Sequence, residues 1–243
     1  MSGGTFWIDH HCIRLPFHGD GDRQELYYHL DGKEWWDKEL RLISRYLGQG
    51  GVAVDVGANI GFMSGIFSKL TGPTGHVYSF EPSPFTYPKL LEVIQGNQYT
   101  TISPYNLGCG REEQSMTLFC PPSSGNATLC PDAGMEQSPL REQAVRIVNL
   151  DKFLGPRLER LDFLKIDTEG FEDEVLAGAS EILRRFKPVI YLELSSQRRA
   201  ASERAVGLLR DHGYNFEREL SLESSFLGDN FFALPPGFSQ ASA

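Results

Sequence analysis

The sequence predicts one doubly wound α/β domain built on a mostly parallel sheet, with an extension at its N-terminus. Strand and helix signals alternate from residue 52 to residue 212. The length of 243 residues suits one such domain plus an extension. No internal repeat or linker divides the chain. We therefore expect an extension and helix over 1–48, one domain over 49–234 and a frayed tail over 235–243.

Short apolar runs bounded by turn residues predict the strands of this domain. They lie at 52–56, 77–80, 102–107, 116–119, 145–150, 163–167, 189–194, 214–218 and 231–234. Apolar residues at helical spacing predict helices. These cover 34–47, 63–70, 83–95, 175–186 and 202–211. Pro88 lies inside the third helix, so that helix is expected to start late or to kink.

Two segments have no regular pattern. In the first 30 residues, apolar side chains such as Phe6, Trp7 and Ile13 allow a short hairpin or a flap over the domain. The segment 121–143 is rich in Pro, Ser and Gly, and so long a loop inside a compact domain is usually functional or disordered.

Composition and charge argue against several classes of partner. The net charge is −9 and the basic residues are scattered apart from pairs at 184–185 and 198–199, so we expect no nucleic-acid partner. No apolar run reaches the roughly 20 residues of a membrane span, and the start lacks the apolar run of a signal peptide. The four cysteines form no CxxC pair, which argues against a zinc cluster. We expect a cytoplasmic protein with free thiols and no membrane partner.

Acidic and small residues end the first predicted strands. Asp55 precedes the turn at 57–61, and Glu81 ends the next strand. Ligands of doubly wound sheets bind outside the carboxyl ends of the strands, so these residues are candidates for a ligand site. The turn has Asn59 and Phe62 where the dinucleotide fingerprint has glycines, and Asp55 would repel a pyrophosphate. A cationic nucleoside fits better, because Asp55 suits an ammonium group and Glu81 can accept from two ribose hydroxyls.

Either acid could be structural when it is taken alone. Asp55 could form the turn, and Glu81 before Pro82 could simply close a strand. Their position at two neighbouring ends of a parallel sheet favours a shared ligand site.

Four motifs resemble those of one enzyme family. The stretch V-D-V-G-A-N-I-G at 54–61 is similar to the first motif of the FkbM methyltransferases, and F-E-P at 80–82 resembles their second strand end. The stretches N-L-D-K-F-L at 149–154 and L-K-I-D-T-E-G-F-E at 164–172 resemble the segments that follow. Thr168, Pro88 and the loop at 121–143 depart from the family pattern, and these departures bear on the substrate more than on the cofactor.

The resemblance implies a Rossmann-like class I methyltransferase fold with a seven-stranded, mostly parallel sheet. It also implies S-adenosylmethionine as cofactor and O-methylation of a hydroxyl on a small molecule, such as a sugar, a polyketide or another natural product. Matching positions imply that the cofactor is bound at its methionine end, its ribose and its adenine by three groups of residues. The residues implied at the methionine end are Asp55, Gly57, Ala58, Asn59 and Gly61. Those implied at the ribose are Glu81 and Pro82, and those implied at the adenine are Asn106 and Leu107.

Two carboxylates are the candidates for catalysis. Transfer of a methyl group to an alcohol is helped by a base that takes the hydroxyl proton. Asp167 could contact the cofactor or the acceptor hydroxyl, and Glu169 could be the base or a substrate ligand. Glu169 could instead cap the following helix. Glu193 could join both in a cluster able to hold Mg²⁺ or Ca²⁺, but no histidine is near in sequence and we expect no metal.

Two other functions stay open as alternatives. The first is an NAD-type oxidoreductase, which the missing glycines disfavour. The second is a non-catalytic module that binds S-adenosylmethionine.

A Pro-Pro-aromatic run, typical of methyltransferases that modify nucleic-acid bases, is absent after Asp167. The sequence carries no signal for the identity of the acceptor or for the oligomeric state.

Overall fold

The computed structural model describes residues 3–8, 11–16, 33–120, 127–130, 140–195, 198–217 and 229–238. The strands are β1 Gly3–Ile8, β2 His11–Pro16, β3 Val52–Val56, β4 His76–Phe80, β5 Ile102–Tyr105, β6 Gly108–Cys109, β7 Gln114–Cys120, β8 Arg141–Val148, β9 Phe163–Ile166, β10 Val189–Leu194, β11 Asn215–Phe216 and β12 Asp229–Leu234. The helices are α1 Lys33–Tyr46, α2 Phe62–Thr71, α3 Tyr87–Gly96, α4 Leu150–Phe153, α5 Glu172–Ala177, α6 Ser180–Phe186 and α7 Arg199–Asp211.

Seven strands form the central sheet, in the order β5-β4-β3-β9-β10-β12-β11. The first five are parallel to one another, and β12 runs antiparallel to both of its neighbours. The predicted seven-stranded, mostly parallel sheet is therefore confirmed. The chain runs outward from β3 to β5 and returns beside β3 as β9. The border between β3 and β9 is thus the switch point at which such sheets bind ligands.

Alternate residues of the central strands serve two apolar cores, one on each face of the sheet. On one face, Ala53 and Phe163 pack with apolar residues of α1 and α2. On the other, Val54 and Leu164 pack with apolar residues of α5, α6 and α7. Every residue of β9 is buried. Helices on both faces explain why these strands are apolar runs rather than alternating patterns.

Two predicted strands lie outside the central sheet. β7 and β8, at the positions predicted as 116–119 and 145–150, pair antiparallel, and β6 joins them. Their inward residues Leu118, Val145 and Ile147 form a small separate core. Outer positions alternate with these along both strands, as in a sheet covered on one face.

The single helix predicted at 175–186 is wrong, because the chain forms α5 and α6 there. The carboxylate of Asp151 accepts from the N–H groups of Glu181 and Ile182 at 2.9 and 2.8 Å. The N–H of Asp151 also donates to the carbonyl of Gly178 at 2.9 Å. Asp151 therefore caps a second helix start that helical periodicity alone does not reveal.

Other expectations for the elements are confirmed. α3 starts late, at Tyr87, with Pro88 in its first turn. β1 and β2 form an antiparallel hairpin in the N-terminal segment. None of the described helices has the length and apolar character needed to cross a membrane. The predicted tail beyond residue 238 lies outside the described residues, and the proposed domain boundaries stay predictions.

Candidate functional site

The turn after β3 is tied to its neighbouring strands through the backbone. The N–H groups of Gly57 and Ala58 both donate to the carbonyl of Phe80, at 3.0 and 2.9 Å. Gly57 has φ +76°, and a Cβ there would lie 1.8 Å from the carbonyl oxygen of Asp167. The contact between the two strand ends therefore requires glycine at position 57. Gly61, with φ +90°, also adopts a backbone that favours glycine.

Asp55 is enclosed in the protein, with 0% of its surface exposed. One carboxylate oxygen accepts from Ser64 Oγ at 2.6 Å, and that hydroxyl lies 2.8 Å from Ser79 Oγ. The other oxygen lies 3.1 Å from Lys165 Nζ. The sequence predicted a direct contact between Asp55 and the ammonium group of a ligand. This prediction is wrong, because the protein encloses the carboxylate. Asp55 instead forms a buried ion pair with Lys165.

Lys165, on β9, lies between the ends of two strands, and the sequence alone did not single it out. Its Nζ lies 2.9 Å from the carbonyl oxygen of Gly57 and 3.3 Å from Asp167 Oδ2, besides the contact with Asp55. Burial acts to lower the pKa of Lys165, but Asp167 and Asp55 outweigh it, so the pKa is raised above its ordinary value. The signal in the sequence was one charged residue inside an apolar strand.

Glu81 ends β4 and is 6% exposed. Its Oε2 accepts from the N–H of Asn59 at 2.9 Å, and its Oε1 accepts from the N–H of Ser83 at 2.8 Å. Burial raises the pKa of Glu81 to about 7, although the two backbone donors and Lys165 act to lower it. Each carboxylate oxygen has a second lone pair, so Glu81 can still accept from two hydroxyls.

Asn106 ties the end of β4 to the end of β5. Its Nδ2 donates to the carbonyl oxygens of Glu81 and Pro82, at 2.8 and 3.1 Å. Leu107 is half-buried and packs against the core. The structure therefore brings the residues predicted for adenine and ribose to the same edge of the sheet.

The turn after β9 holds Glu169 in an uncommon backbone conformation. Glu169 has φ +56° and Gly170 has φ +103°. Glu172 Oε1 accepts from the N–H and hydroxyl of Thr168 and from the N–H of Gly170, at 3.0, 2.9 and 3.0 Å. Glu172, not Glu169, thus satisfies the backbone of this turn, and the helix cap considered for Glu169 is wrong. A left-handed residue fixed by its surroundings often marks a functional site.

Two donors from distant segments converge on the backbone carbonyl of Glu169. Thr128 Oγ1 donates to it at 2.7 Å, and Arg198 Nη1 donates to the same oxygen. Arg198 Nη1 lies 2.9 Å from Thr128 Oγ1, which is fully buried. The described residues 127–130 of the long loop therefore lie against the turn that carries Glu169. Thr128 and Arg198 escaped prediction because contacts between distant loops leave no periodic pattern.

Three carboxylates meet where β9 and β10 end. Asp167, Glu169 and Glu193 each bring an oxygen within 4.8 Å of the other two. Burial and the charge of Asp167 raise the pKa of Glu169 to about 7 and that of Glu193 to about 10. Both carboxyl groups therefore keep a proton to higher pH than an ordinary glutamate does. The metal-free site expected from the sequence stays a prediction.

The charges at these strand ends suit a cationic nucleoside. Lys165 Nζ has three protein oxygens within 3.3 Å, so its positive charge is balanced inside the protein and a pyrophosphate would have to displace these neighbours. Glu81 keeps acceptor capacity for hydroxyls at the end of β4, and the side chain of Asp167 is 39% exposed at the end of β9, two strands away along the sheet edge. The residues present therefore fit S-adenosylmethionine, which carries a positive charge and no phosphate.

Sequence comparison identifies the family. A sequence model of the methyltransferase FkbM domain matches residues 55–216. Methyltransferase 1 of Beauveria bassiana is 30% identical over 145 residues, which cover 53% of this chain and 58% of that protein. Methyltransferase sdnD of Sordaria araneosa is 32% identical over 160 residues, which cover 53% and 60%. The chain thus matches less than two thirds of the length of either relative.

Solved structures agree with this fold. An FkbM methyltransferase from Methylobacillus flagellatus aligns with a TM-score of 0.52 at 17% identity, over 90% of this chain and 56% of that chain. An rRNA methylase from Streptococcus thermophilus aligns with a TM-score of 0.53 at 11% identity, over 82% and 95%. At these identities the likeness concerns the fold alone. The family match covers most of the chain and includes the described site, so the chain belongs to the FkbM methyltransferase family, whose members use S-adenosylmethionine.

Proposed function

We propose that the chain is an S-adenosylmethionine-dependent O-methyltransferase that acts on a hydroxyl of a small molecule, such as a sugar or a polyketide. The observation that carries the proposal is the meeting of Asp167, Glu169 and Glu193 at the ends of β9 and β10, next to the switch point between β3 and β9. These carboxylates would supply a base to a methyl acceptor that binds next to a cofactor in the turn at 57–61. We also expect a cytoplasmic location and no nucleic-acid or membrane partner.

The cofactor residues follow from their remaining hydrogen-bonding capacity. Glu81 would accept from the ribose hydroxyls, because each of its oxygens has a free lone pair. The turn at 57–61 and Asp167 would lie along the methionine end, and Asn106 with Leu107 beside the adenine. When bound, the cofactor supplies an electrophilic methyl group, which is the reactive part of the chemistry.

Glu169 is the proposed base. Its left-handed backbone, held by Thr128 and Arg198, fixes where the carboxylate can reach. Because its pKa is raised to about 7, it accepts a proton from a hydroxyl more readily than an ordinary glutamate does. Asp167 keeps that pKa high and orients the acceptor hydroxyl.

The test is transfer of labelled methyl groups from S-adenosylmethionine to a panel of sugar and polyketide alcohols. Glu169→Gln should lower kcat by roughly 10²- to 10⁴-fold, the usual contribution of a general base, with little change in cofactor affinity. Glu81→Ala should weaken binding of S-adenosylhomocysteine, measured by calorimetry. Glu113→Gln, at an exposed position, serves as the matched control.

Three results would contradict the proposal. Unchanged turnover in Glu169→Gln would remove the base assignment. Cofactor binding without turnover of any alcohol would favour the non-catalytic module. Binding of a nicotinamide dinucleotide in place of S-adenosylhomocysteine would favour the oxidoreductase.

A further inference from the structure

Lys165 is a buried charge that the proposed reaction does not use. It is 4% exposed, and its register partners are Asp55 on β3 and Tyr191 on β10. Register partners on adjacent parallel strands point to the same face of a sheet. Phe163, two residues earlier on β9, packs in the core that α1 and α2 cover. The ammonium group therefore sits beneath helices, at the inner side of the cofactor turn.

The hydrogen bonds of Lys165 exclude the usual roles of a buried lysine. An ammonium has three hydrogens, and its three neighbours are Asp55 Oδ1, the carbonyl of Gly57 and Asp167 Oδ2, at 3.1, 2.9 and 3.3 Å. A ligand carboxylate would have to displace one of these three oxygens to reach the ammonium group. A general base needs a neutral amine, whereas the neighbouring aspartates raise the pKa of Lys165.

The peptide between Gly57 and Ala58 is fixed from both sides. Its carbonyl accepts from Lys165 on β9, and its N–H donates to the carbonyl of Phe80 at 2.9 Å. The next N–H along the chain, that of Asn59, donates to Glu81 at 2.9 Å. Rotation of this peptide would therefore displace the donor that orients the ribose-binding carboxylate.

We propose that Lys165 is a positioning residue for the cofactor, which holds the Gly57–Ala58 peptide in the orientation that presents Asn59 and Glu81 to the ribose. Asp55 has a different part, since it only balances the charge of Lys165. This inference rests on the cofactor of the proposed function. Lys165 would thus have two roles: it pairs with the charge of Asp55, and it acts as a clamp that holds the Gly57–Ala58 peptide. Asp55→Asn removes the first role alone, whereas Lys165→Met removes both.

The experiment is a double-mutant cycle of Lys165→Met and Asp55→Asn, with melting temperature and affinity for S-adenosylhomocysteine measured on each protein. Lys165→Met leaves the buried carboxylate of Asp55 without a counter-charge, so the Tm of this variant should fall by roughly 6–20 °C. Adding Asp55→Asn removes that charge and should restore at least half of the loss. Affinity should not recover, because a hydrogen bond from a charged donor corresponds to about 10- to 100-fold in an equilibrium constant.

The single variant Asp55→Asn keeps the clamp, so its affinity should stay within about threefold of wild type. Lys152→Met, at an exposed position, is the matched control and should change neither quantity. Recovery of both stability and affinity in the double variant would overturn the proposal, because Lys165 would then be a counter-charge only. Wild-type protein that does not bind S-adenosylhomocysteine would instead refute the cofactor assignment and this inference together.

Discussion

Gly57→Ala tests how the ends of β3 and β9 meet. The added Cβ would lie 1.8 Å from the carbonyl oxygen of Asp167, so one strand end would have to move by roughly 1.5–2 Å to reach an ordinary contact. Alanine at φ +76° also costs about 1–2 kcal/mol. The movement strains the 3.1 Å hydrogen bond from Asp167 N–H to the carbonyl of Val56, which is worth about 1 kcal/mol.

Together these effects predict a loss of about 3 kcal/mol in the free energy of unfolding, which corresponds to a Tm lower by roughly 6–12 °C in a chain of this size. The matched control is Gly207→Ala in α7, where an added Cβ meets nothing within 4 Å. That change should raise Tm by roughly 1–4 °C, because alanine is favoured over glycine inside a helix. Thermal unfolding followed by circular dichroism measures both. A Gly57→Ala protein that melts with the wild type would show that the two strand ends do not approach as described.

Three further changes probe the same region and the core. Glu193→Gln should raise Tm more at pH 8 than at pH 5. Because the pKa of Glu193 is raised in the native state, the wild type loses stability as the pH rises from about 4.5 toward 10, and glutamine avoids that loss. An equal gain in Tm at both pH values would contradict the raised pKa. Glu172→Ala should cost about 3 kcal/mol in urea unfolding, since three donors lose their acceptor, whereas Glu174→Ala, in an exposed ion pair, should cost less than about 1 kcal/mol. Tyr214→Phe removes a buried 3.0 Å hydrogen bond to a backbone carbonyl and should cost about 1 kcal/mol in the same assay.

The sequence predicted what depends on local pattern. The central strands are apolar because helices cover both faces of the sheet, so short apolar runs in the sequence predicted these strands. The positions of the strand ends followed from the ends of the runs. The apolar pattern did not predict the break between α5 and α6, because the residue that caps α6 is Asp151, some 30 residues earlier in the chain. Long-range partners decide such boundaries, and a single sequence does not display them.

The same reason limits what the sequence said about the site. Asp55 and Glu81 were identified correctly as strand-end acids, but their surroundings differ. Glu81 lies where both oxygens keep acceptor capacity, whereas Lys165 and Ser64 enclose Asp55. Which of two acids faces a ligand depends on what the neighbouring strand carries at the same register, here Lys165 opposite Asp55. Strand order, which comes from the whole fold, had to be known first.

Charge balance links the carboxylate cluster to the proposed reaction. Methyl transfer removes one positive charge from the cofactor, and the acceptor hydroxyl releases one proton. If Glu169 takes that proton, the negative charge of the cluster falls by one in the same step, so the net charge of cofactor, acceptor and cluster together does not change. An aspartate or glutamate of ordinary pKa would hold that proton poorly at neutral pH. Burial next to Asp167 raises the pKa of Glu169 to about 7, which lets the cluster accept the proton on turnover and return it to solvent afterwards. The activity should therefore increase as pH rises through about 7, as the base loses its own proton, and Glu169→Gln should abolish that limb of the profile.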